Sequence, residues 1–411
     1  MNLKTLFLNH IAQTSDNPML GFDIDIVRAE GSWLYDLKNN AYLDLISGIS
    51  VSALGHAHPE ISKAIYLQSQ RYSHLMVFGE FIQRPQVDYM MQLKKHLAPT
   101  LNSIYYCNSG SEAIEGALKL AKRVTGRTKC LSFKKAYHGS THGALSLCSE
   151  SSFKQHALPL LPETDYLTFN SLDELHRIDQ SVAAVVFEYV QAESGVHMAD
   201  FNFITQLAAQ CKRSGTLMIA DEIQSGFGRC GTFFAQELYH HVPDVLVLAK
   251  AMGGGLPMGA FIASKEHMHA LSYNPMLGHL TTFGGNAICL AAASAALDVM
   301  EREQLFYRGK ELQEVIKKHL NSDRIHSLRC IGAWAAVEFS CHELCFSVIR
   351  KALEAGIITD WFLFNPKALR ISPPLNIPIN ELIQGLQQLN SIINQTAGPK
   401  SASIKAAASN S

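Results

Sequence analysis

The chain has 411 residues, which is enough for two or three domains around a large buried core. Its 35 Lys and Arg nearly balance its 36 Asp and Glu, so the net charge of −1 favours neither nucleic acid nor an anionic membrane surface as a partner. Only 17% of the residues are charged and 47% are hydrophobic, which excludes a disordered chain and leaves room for a subunit interface.

Membrane, metal and disulfide signals are weak. The longest nearly apolar stretch, Ala287–Leu297, is far shorter than the roughly 20 residues of a membrane span, and residues 1–10 lack the apolar core of a signal peptide. Nine cysteines without framework spacing predict reduced thiols in a cytoplasmic location. Cys341 and Cys345 have no second ligand cluster nearby in sequence, so we expect no metal site.

Residues 1–59 are predicted to form an N-terminal arm. Apolar residues at helical spacing predict a helix over Leu3–Ile11. The segments Trp33–Asp36 and Ala41–Asp44 flank a polar turn and predict a hairpin. We expect this arm to belong to the smaller of two domains.

Residues 60–299 are predicted to form a large α/β domain, because helical patterns alternate there with short continuous apolar runs. The runs are Lys129–Phe133, Ala183–Phe187, Leu217–Ala220, Val245–Leu248 and Ala260–Ala263. Such runs are typical of a mostly parallel sheet that is sandwiched by helices on both faces.

The rest of the chain is predicted to form a smaller α+β domain over residues 300–395. It starts with a helix near Glu301–Leu320 and continues with mixed strands and helices. Residues 396–411 are rich in Ala, Ser and Lys and predict a disordered tail.

Three of the predicted strands run directly into ionisable residues. Glu188, Asp221 and Lys250 each follow an apolar run. Ligands of parallel sheets gather at the carboxyl ends of the strands, so a carboxylate and an amine at this edge could carry out chemistry together. Any one of them alone could also be a polar residue where the chain reaches water.

A predicted anion site lies at the start of one helix. Ser109, Gly110 and Ser111 separate the extended segment Ile104–Tyr106 from a helix over Glu112–Arg123. Free amides and the helix dipole favour a phosphate at such a position. The same residues also form an ordinary helix cap, and both interpretations stay open at this point.

Six segments resemble, in the same order, the class III aminotransferases of the fold-type-I, pyridoxal-phosphate-dependent family. The segments are Leu54–Pro59, Asn108–Ala113, Ala136–Gly139, Asp221–Arg229, Ala249–Pro257 and Thr281–Asn286. Together with flanking residues the resemblance covers most of the chain. It implies a fold-type-I transferase with pyridoxal 5′-phosphate as its cofactor.

The resemblance implies a role for each residue that faces the cofactor ring. Lys250 would hold the cofactor aldehyde as an imine and then move the proton during transamination. Asp221 would pair with the ring nitrogen, Gln224 would bond the ring oxygen, and Tyr137 would stack on the ring. Glu188 belongs to the same expected cofactor-binding set.

The resemblance also implies the phosphate site. Gly110 and Ser111 would cradle the phosphate, and His138 would support the neighbouring loop. Thr282 would complete the phosphate site from a partner subunit, which implies a homodimer with shared active sites.

Two residues are expected to bind substrate. Arg370 matches the family's carboxylate-binding arginine and Glu193 matches the glutamate that pairs with it. The segment Ser47–His56 is most similar to the acetylornithine and ornithine branch. Ile49 stands where ornithine enzymes have tyrosine, and Ser140 stands where acetylornithine enzymes typically have arginine.

We therefore expect a transaminase of arginine biosynthesis that moves an amino group from an acetylornithine-like ω-amino donor to 2-oxoglutarate by a ping-pong mechanism. Other ω-amino acid or amine transaminases, of the 4-aminobutyrate, lysine or diaminopelargonate type, remain alternatives, as does a semialdehyde aminomutase.

Overall fold

The computed structural model describes residues 3–12 and 24–396. The strands are β1 (Ile26–Glu30), β2 (Trp33–Asp36), β3 (Ala41–Asp44), β4 (Ser103–Cys107), β5 (Lys129–Phe133), β6 (Thr164–Leu167), β7 (Val182–Phe187), β8 (Val190–Gln191), β9 (His197–Met198), β10 (Leu217–Asp221), β11 (Val245–Ala249), β12 (Gly259–Ala263), β13 (Ser327–Ile331), β14 (Trp334–Glu338), β15 (Ile357–Ile358), β16 (Asp360–Phe362) and β17 (Asn365–Ile371).

The helices are α1 (Leu3–His10), α2 (Ser47–Ser50), α3 (Pro59–Ser69), α4 (Arg84–Leu93), α5 (Gly110–Thr125), α6 (His142–Ser146), α7 (Ser151–Lys154), α8 (Phe201–Ser214), α9 (Lys265–His269), α10 (Ala287–Arg302), α11 (Leu305–His319), α12 (His342–Glu354) and α13 (Ile379–Gln395). No helix in these two described ranges is long and apolar enough to cross a membrane.

A seven-stranded sheet forms the centre of the molecule, in the order β4-β12-β11-β10-β7-β5-β6. Strands β6, β5, β7, β10 and β11 run parallel. Every residue of β7, β10 and β11 is buried, because both faces of the sheet are covered. The predicted α/β class with a mostly parallel sheet is confirmed.

Strand β12 runs antiparallel to both of its neighbours, β11 and β4. Its apolar sequence looks like that of the parallel strands, so the pattern alone could not show its direction. A parallel connection needs a crossover of a dozen or more residues. Only residues 250–258 join β11 to β12, with a short 3₁₀ turn over Lys250–Gly253, so the chain must reverse.

Helix α5 packs against β11 and β12 and points its N-terminus at the edge where the parallel strands end. A Cβ on Gly116 would lie 2.2 Å from Cε1 of Phe261, so glycine there lets the helix approach the sheet closely. The helix begins at the cap residue Ser109 and ends at Gly126, whose φ is 69°.

Strands from both ends of the described chain share one sheet, in the order β1-β2-β3-β15. The hairpin β2–β3 agrees with the predicted one, and β15 adds a parallel strand from the C-terminal part. A second sheet, β13-β14-β17-β16, is antiparallel. The boundaries at residues 60 and 300 stay predictions.

The predicted helix near Glu301–Leu320 starts too early. Glu301 belongs to α10, which ends at Arg302, and α11 begins only at Leu305. The break comes at Gln304, which adopts a left-handed φ of 53°. Apart from Thr396, the predicted tail 396–411 lies outside the described residues.

Candidate active site

A cavity of about 530 Å³ opens at the carboxyl ends of β7, β10 and β11, beside the N-terminus of α5. This volume lies within the usual range for small-molecule sites. Eight of the predicted site residues line it: Gly110, Ser111, Tyr137, His138, Glu188, Asp221, Gln224 and Lys250. The other three, Glu193, Thr282 and Arg370, do not line it.

Lys250 directly follows β11 and has a left-handed φ of 51°. Its Nζ donates a hydrogen bond to Oε1 of Gln224 at 2.9 Å. Burial lowers the pKa of Lys250 to about 8, against the opposing effect of the Glu193 carboxylate. A fraction of the amine is therefore unprotonated near neutral pH and can act as a nucleophile.

Asp221 ends β10 and is held at both carboxylate oxygens. Oδ2 lies 2.8 Å from Nδ1 of His138, and Oδ1 accepts a hydrogen bond from the amide of Ile223 at 2.9 Å. Because a carboxylate only accepts, Nδ1 carries the proton of this bond. His138 thus orients Asp221 directly, a role that the sequence did not indicate beyond support of its loop.

Glu188 follows β7 and is buried near Asp221. Its Oε1 accepts a hydrogen bond from the amide of Ala192 at 2.9 Å, whereas Oε2 has no partner within the described ranges. Burial, and secondly the Asp221 charge, raises the pKa of Glu188 well above its usual range. Burial therefore favours the neutral form of this carboxyl, and in that form it could donate a hydrogen bond into the cavity.

The start of α5 leaves room for an anion. The hydroxyl of Ser109 caps the amide of Glu112 at 3.2 Å. A Cβ on Gly110 would lie 2.7 Å from Cδ1 of Ile223, and one on Gly139 would lie 2.1 Å from Oγ of Ser111. Gly110 and Ser111 line the cavity at the start of the helix, where backbone amides and the helix dipole favour a phosphate.

Arg370 and Glu193 form a buried bidentate ion pair. The two guanidinium nitrogens NH1 and NH2 each lie 2.9 Å from one Glu193 carboxylate oxygen. The Phe362 ring packs on the guanidinium with its centroid 4.5 Å from Cζ. The structure thus brings these two predicted residues into contact with each other. The Glu193 charge raises the pKa of Lys250, and the Arg370 charge lowers it.

Asp360 is a second carboxylate on Arg370 that the sequence analysis missed. It lies opposite Arg370 in the β16–β17 register, with Oδ1 3.1 Å from Nε. Burial raises the pKa of Asp360 to about 6. Strand β16 has only three residues, too few for an alternation of polar and apolar side chains to predict this contact.

Helix α2 is a left-handed turn and not a normal α-helix. Ser47, Gly48, Ile49 and Ser50 have φ values of 44°, 60°, 61° and 64°. Each left-handed residue other than glycine costs about 1–2 kcal/mol, so other contacts must hold the turn. Asp44 supplies one, since its Oδ1 accepts hydrogen bonds from the amides of Ile46 and Ser47.

Thr282 is exposed and lies outside the cavity of its own chain. Its neighbour Thr281 accepts a hydrogen bond from Nδ2 of Asn108 at 2.7 Å. One chain therefore does not bring Thr282 to the other predicted residues.

Comparison with known proteins decides the family. Residues 12–393 match the family model described as Aminotransferase class-III. The chain belongs to the class-III aminotransferases. This aminotransferase is 35% identical over 371 residues to an acetylornithine aminotransferase of Methanopyrus kandleri, a match that covers 90% of this chain and 94% of that protein.

Two further relatives agree. The aminotransferase is 32% identical over 380 residues to an acetylornithine aminotransferase of Streptococcus mutans, covering 91% of this chain and 97% of that protein. The solved structure of an ornithine aminotransferase from Toxoplasma gondii superimposes with a TM-score of 0.86 at 24% identity, covering 95% of this chain and 93% of that chain. The fold is thus the fold-type-I architecture that the sequence predicted.

The cofactor of this aminotransferase is pyridoxal 5′-phosphate, and the cavity fits it. The cofactor supplies an aldehyde that bonds to amines and a ring that withdraws electrons from the reacting carbon. Gly110 and Ser111, at the N-terminus of α5, fit its phosphate, and the oriented carboxylate of Asp221 fits a protonated ring nitrogen. Lys250 would carry the aldehyde, while Gln224 and Tyr137 would contact the ring.

The cavity residues divide the chemical work. Lys250 would supply the nucleophilic amine and, when free, a base that could take and return the substrate proton. The Asp221 carboxylate would partner the ring nitrogen, and the bond from His138 orients it. His138, Asp221 and Gln224 are buried, and low solvent exposure strengthens such electrostatic effects.

Proposed function

We propose that this aminotransferase moves an amino group from an acetylornithine-like ω-amino donor to 2-oxoglutarate in two half-reactions. The observation that carries the proposal is the buried Glu193–Arg370 pair. Two relatives of 32–35% identity that bear the name acetylornithine aminotransferase support it.

The pair suits an enzyme that accepts two different substrates in one pocket. With an ω-amino donor, a methylene group comes near Arg370, and Glu193 keeps the guanidinium paired. With glutamate or 2-oxoglutarate, the substrate's own carboxylate can take the place of Glu193 in a bidentate bond. Donor and acceptor can then alternate at the same site.

The surroundings of Ser140 favour a second candidate. This candidate is an ω-amino donor that lacks an α-carboxylate far from its reacting amine. Ser140 bonds the Tyr137 hydroxyl at 3.0 Å and carries no charge. The Phe364 ring lies 6.4 Å from that of Tyr137 and 5.2 Å from that of Phe153. Among the described residues that line the cavity, Lys250 is the only Lys or Arg.

A donor panel separates these candidates. Purified enzyme loaded with cofactor would be assayed with 2-oxoglutarate and, in turn, N-acetylornithine, ornithine, lysine, 4-aminobutyrate and an uncharged aliphatic amine. The proposal requires the highest kcat/KM with N-acetylornithine. A higher value with 4-aminobutyrate or the plain amine would favour the second candidate, and no glutamate formation with any donor would contradict both.

We also propose a homodimer with shared active sites. Two segments, 73–87 and 273–286, meet through the rings of His74 and Phe283, 5.0 Å apart, and expose large apolar residues. Ile82 is 95% exposed and Met276 is 76% exposed. A second copy of this chain would cover these side chains, and Thr282 lies in the same region and could then reach the neighbouring phosphate site.

Sedimentation during dilution tests the dimer. Ile82→Lys should yield monomers that release pyridoxal phosphate, whereas Val27→Lys, at an exposed apolar residue of β1, should leave both properties unchanged. A monomer that retains cofactor and activity would contradict the proposal.

The nine free cysteines support a reducing, cytoplasmic location for the enzyme.

A further inference from the structure

Three buried serine hydroxyls connect distant parts of the chain beside Lys250. Oγ of Ser50 lies 2.6 Å from Oγ of Ser372. Ser47 donates to the carbonyl of Ser372 at 2.7 Å and accepts a hydrogen bond from Arg229 at 3.3 Å. The amide of Ser372 donates to the carbonyl of Leu45, so the left-handed turn is tied to β17 at several points.

This cluster reaches Lys250 through Gln224. Nε2 of Gln224 donates to Oγ of Ser50 at 3.5 Å, while Oε1 accepts from Nζ of Lys250 at 2.9 Å. A lysine ammonium has only donors, so the amide oxygen must face Lys250 and the amide nitrogen must face Ser50. Ser50 can accept from Gln224 and donate to Ser372 at the same time.

The side-chain amide of Gln224 has two orientations that differ only in the positions of O and N. The reversed orientation would point N–H groups at the Lys250 ammonium and a carbonyl at the Ser50 hydroxyl. The Lys250 ammonium would then lose its acceptor, whereas Ser50 (2% exposed) and Ser372 (0% exposed) would stay bonded to each other. The Lys250 ammonium therefore favours the orientation with Oε1 towards it, and the buried Ser50 hydroxyl, which accepts from Nε2 and can donate to Ser372, holds the amide there.

We propose that Ser50 is a positioning residue, which with Ser372 fixes the Gln224 amide so that Oε1 faces Lys250 and one Nε2 hydrogen stays available to the ring oxygen of the cofactor. The proposal depends on pyridoxal phosphate as cofactor and not on the identity of the donor. It also explains why a strained turn is maintained at this place, since a left-handed Ser50 directs its hydroxyl at both partners.

The test compares Ser50→Ala, Ser50→Gly and Ser372→Ala with the control Ser52→Ala. Ser52 lies two residues away, and its hydroxyl makes no hydrogen bond within the part of the chain that the structure describes. Glycine adopts a left-handed φ without strain, so Ser50→Gly removes the hydroxyl while it relaxes the backbone. It therefore separates positioning from a purely structural role.

The first measurement uses cofactor-free protein. The rate at which Lys250 reacts with an acylating reagent, followed by peptide mass spectrometry over a range of pH, gives the apparent pKa of its amine. Loss of a fixed acceptor disfavours the ammonium, so the pKa should fall by roughly half a unit in the three variants. The control should match wild type.

The second measurement is the affinity for pyridoxal phosphate. We expect about threefold to tenfold weaker binding in the three variants, the size of one lost hydrogen bond. Thermal unfolding of the cofactor-free proteins completes the set, and Ser50→Gly should be at least as stable as Ser50→Ala.

Two results would overturn the proposal. If Ser50→Gly and Ser372→Ala keep the wild-type pKa of Lys250 and the wild-type cofactor affinity, Ser50 has only a structural role. If the control shifts as much as the variants, the effect is not specific to the hydroxyl pair. Should Ser50→Ala fail to fold, Ser50→Gly and Ser372→Ala still test the proposal. If wild-type protein binds no pyridoxal phosphate, the cofactor assignment is wrong, whereas the measured pKa of Lys250 remains valid.

Discussion

The predicted site residues fall into two groups that are built in different ways: those that line the cavity, at the cofactor end, and the Glu193–Arg370 pair, which does not line it, at the proposed substrate end. At the cofactor end, Asp221 and Lys250 come directly after β10 and β11, so the central sheet itself fixes their backbone. At the substrate end, Arg370 lies on β17 of another sheet and its partner Glu193 follows the short strand β8. Rigid strand ends suit a fixed reaction, whereas paired charges that can separate suit two alternating substrates.

The largest expected effect is at the cofactor end. Lys250→Ala should fold and still bind pyridoxal phosphate non-covalently, but transamination should fall by about 10³-fold or more, because both the nucleophile and the proton carrier are lost. Single-turnover absorbance of the bound cofactor would measure this loss. Lys212→Ala, at an exposed lysine of α8, is the control, and turnover within tenfold of wild type would contradict the assignment.

Asp221→Asn should keep the contact with His138 but remove the negative charge. We expect kcat to fall by about 10²- to 10³-fold, the usual cost of losing one oriented electrostatic group in a closed site. Steady-state kinetics and the spectrum of the loaded enzyme would measure it. A fully active variant would mean that another residue partners the ring nitrogen.

Asp360→Asn should change stability at the substrate end with a definite pH dependence. The pKa of Asp360 is about 6 in the folded protein, above the ordinary 3.8, so ionisation destabilises the fold as pH rises from about 4 to 6. The free energy of unfolding of the variant, relative to that of wild type, should therefore increase by up to about 3 kcal/mol between pH 4 and pH 8.

Denaturant unfolding of the cofactor-free protein at several pH values would measure this gain. Asp88→Asn, at an exposed carboxylate beside Arg84, should show no comparable change. A gain of equal size in both variants would rule out burial of Asp360 as the cause.

Glu193→Ala should shift the balance between the two half-reactions. Without Glu193, the half-reaction with glutamate should accelerate and that with the ω-amino donor should slow, each by about tenfold or 1.4 kcal/mol. Asp360 remains beside Nε of Arg370, so the guanidinium keeps a counter-charge and the protein should fold.

Stopped-flow absorbance with each substrate separately would measure both rates. Glu338→Ala removes the carboxylate of the Arg329 ion pair and is the matched control. Equal losses with both substrates would indicate a structural role for Glu193.

The smallest expected effect belongs to Ser140→Arg, because this position is exposed and a new ion pair there is screened. If the natural donor carries a distal α-carboxylate, kcat/KM for N-acetylornithine should rise by up to about fivefold. Ser140→Gln adds similar length without charge and should give no gain. An unchanged value for every carboxylated donor would mean that another cation already binds that group.

The cofactor end could be predicted from sequence because its signals are local. The apolar runs before Asp221 and Lys250 are continuous, and a capped helix begins at Gly110. The direction of β12 was not visible in its composition, since strand direction depends on the connection and not on the side chains.

The substrate end depended on contacts between distant residues. Glu193 and Arg370 are 177 positions apart, and only the family resemblance paired them. Ser50 and Ser372 are 322 positions apart, and Asp360 meets Arg370 through strand register. No pattern in one sequence reports such contacts, so these partners became visible only in three dimensions.

The reversal at β12 has a consequence for engineering. Residues 250–258 connect Lys250 at one end to Gly259 at the other, where an added Cβ would lie 2.3 Å from the carbonyl oxygen of Ser109. One short loop therefore sets the spacing between the Lys250 amine and the proposed phosphate site at the start of α5. Libraries that insert or delete residues in this loop should lose cofactor, and diversity for new donors is better placed at Ser140 and Phe364, which bind neither Asp221 nor Arg370.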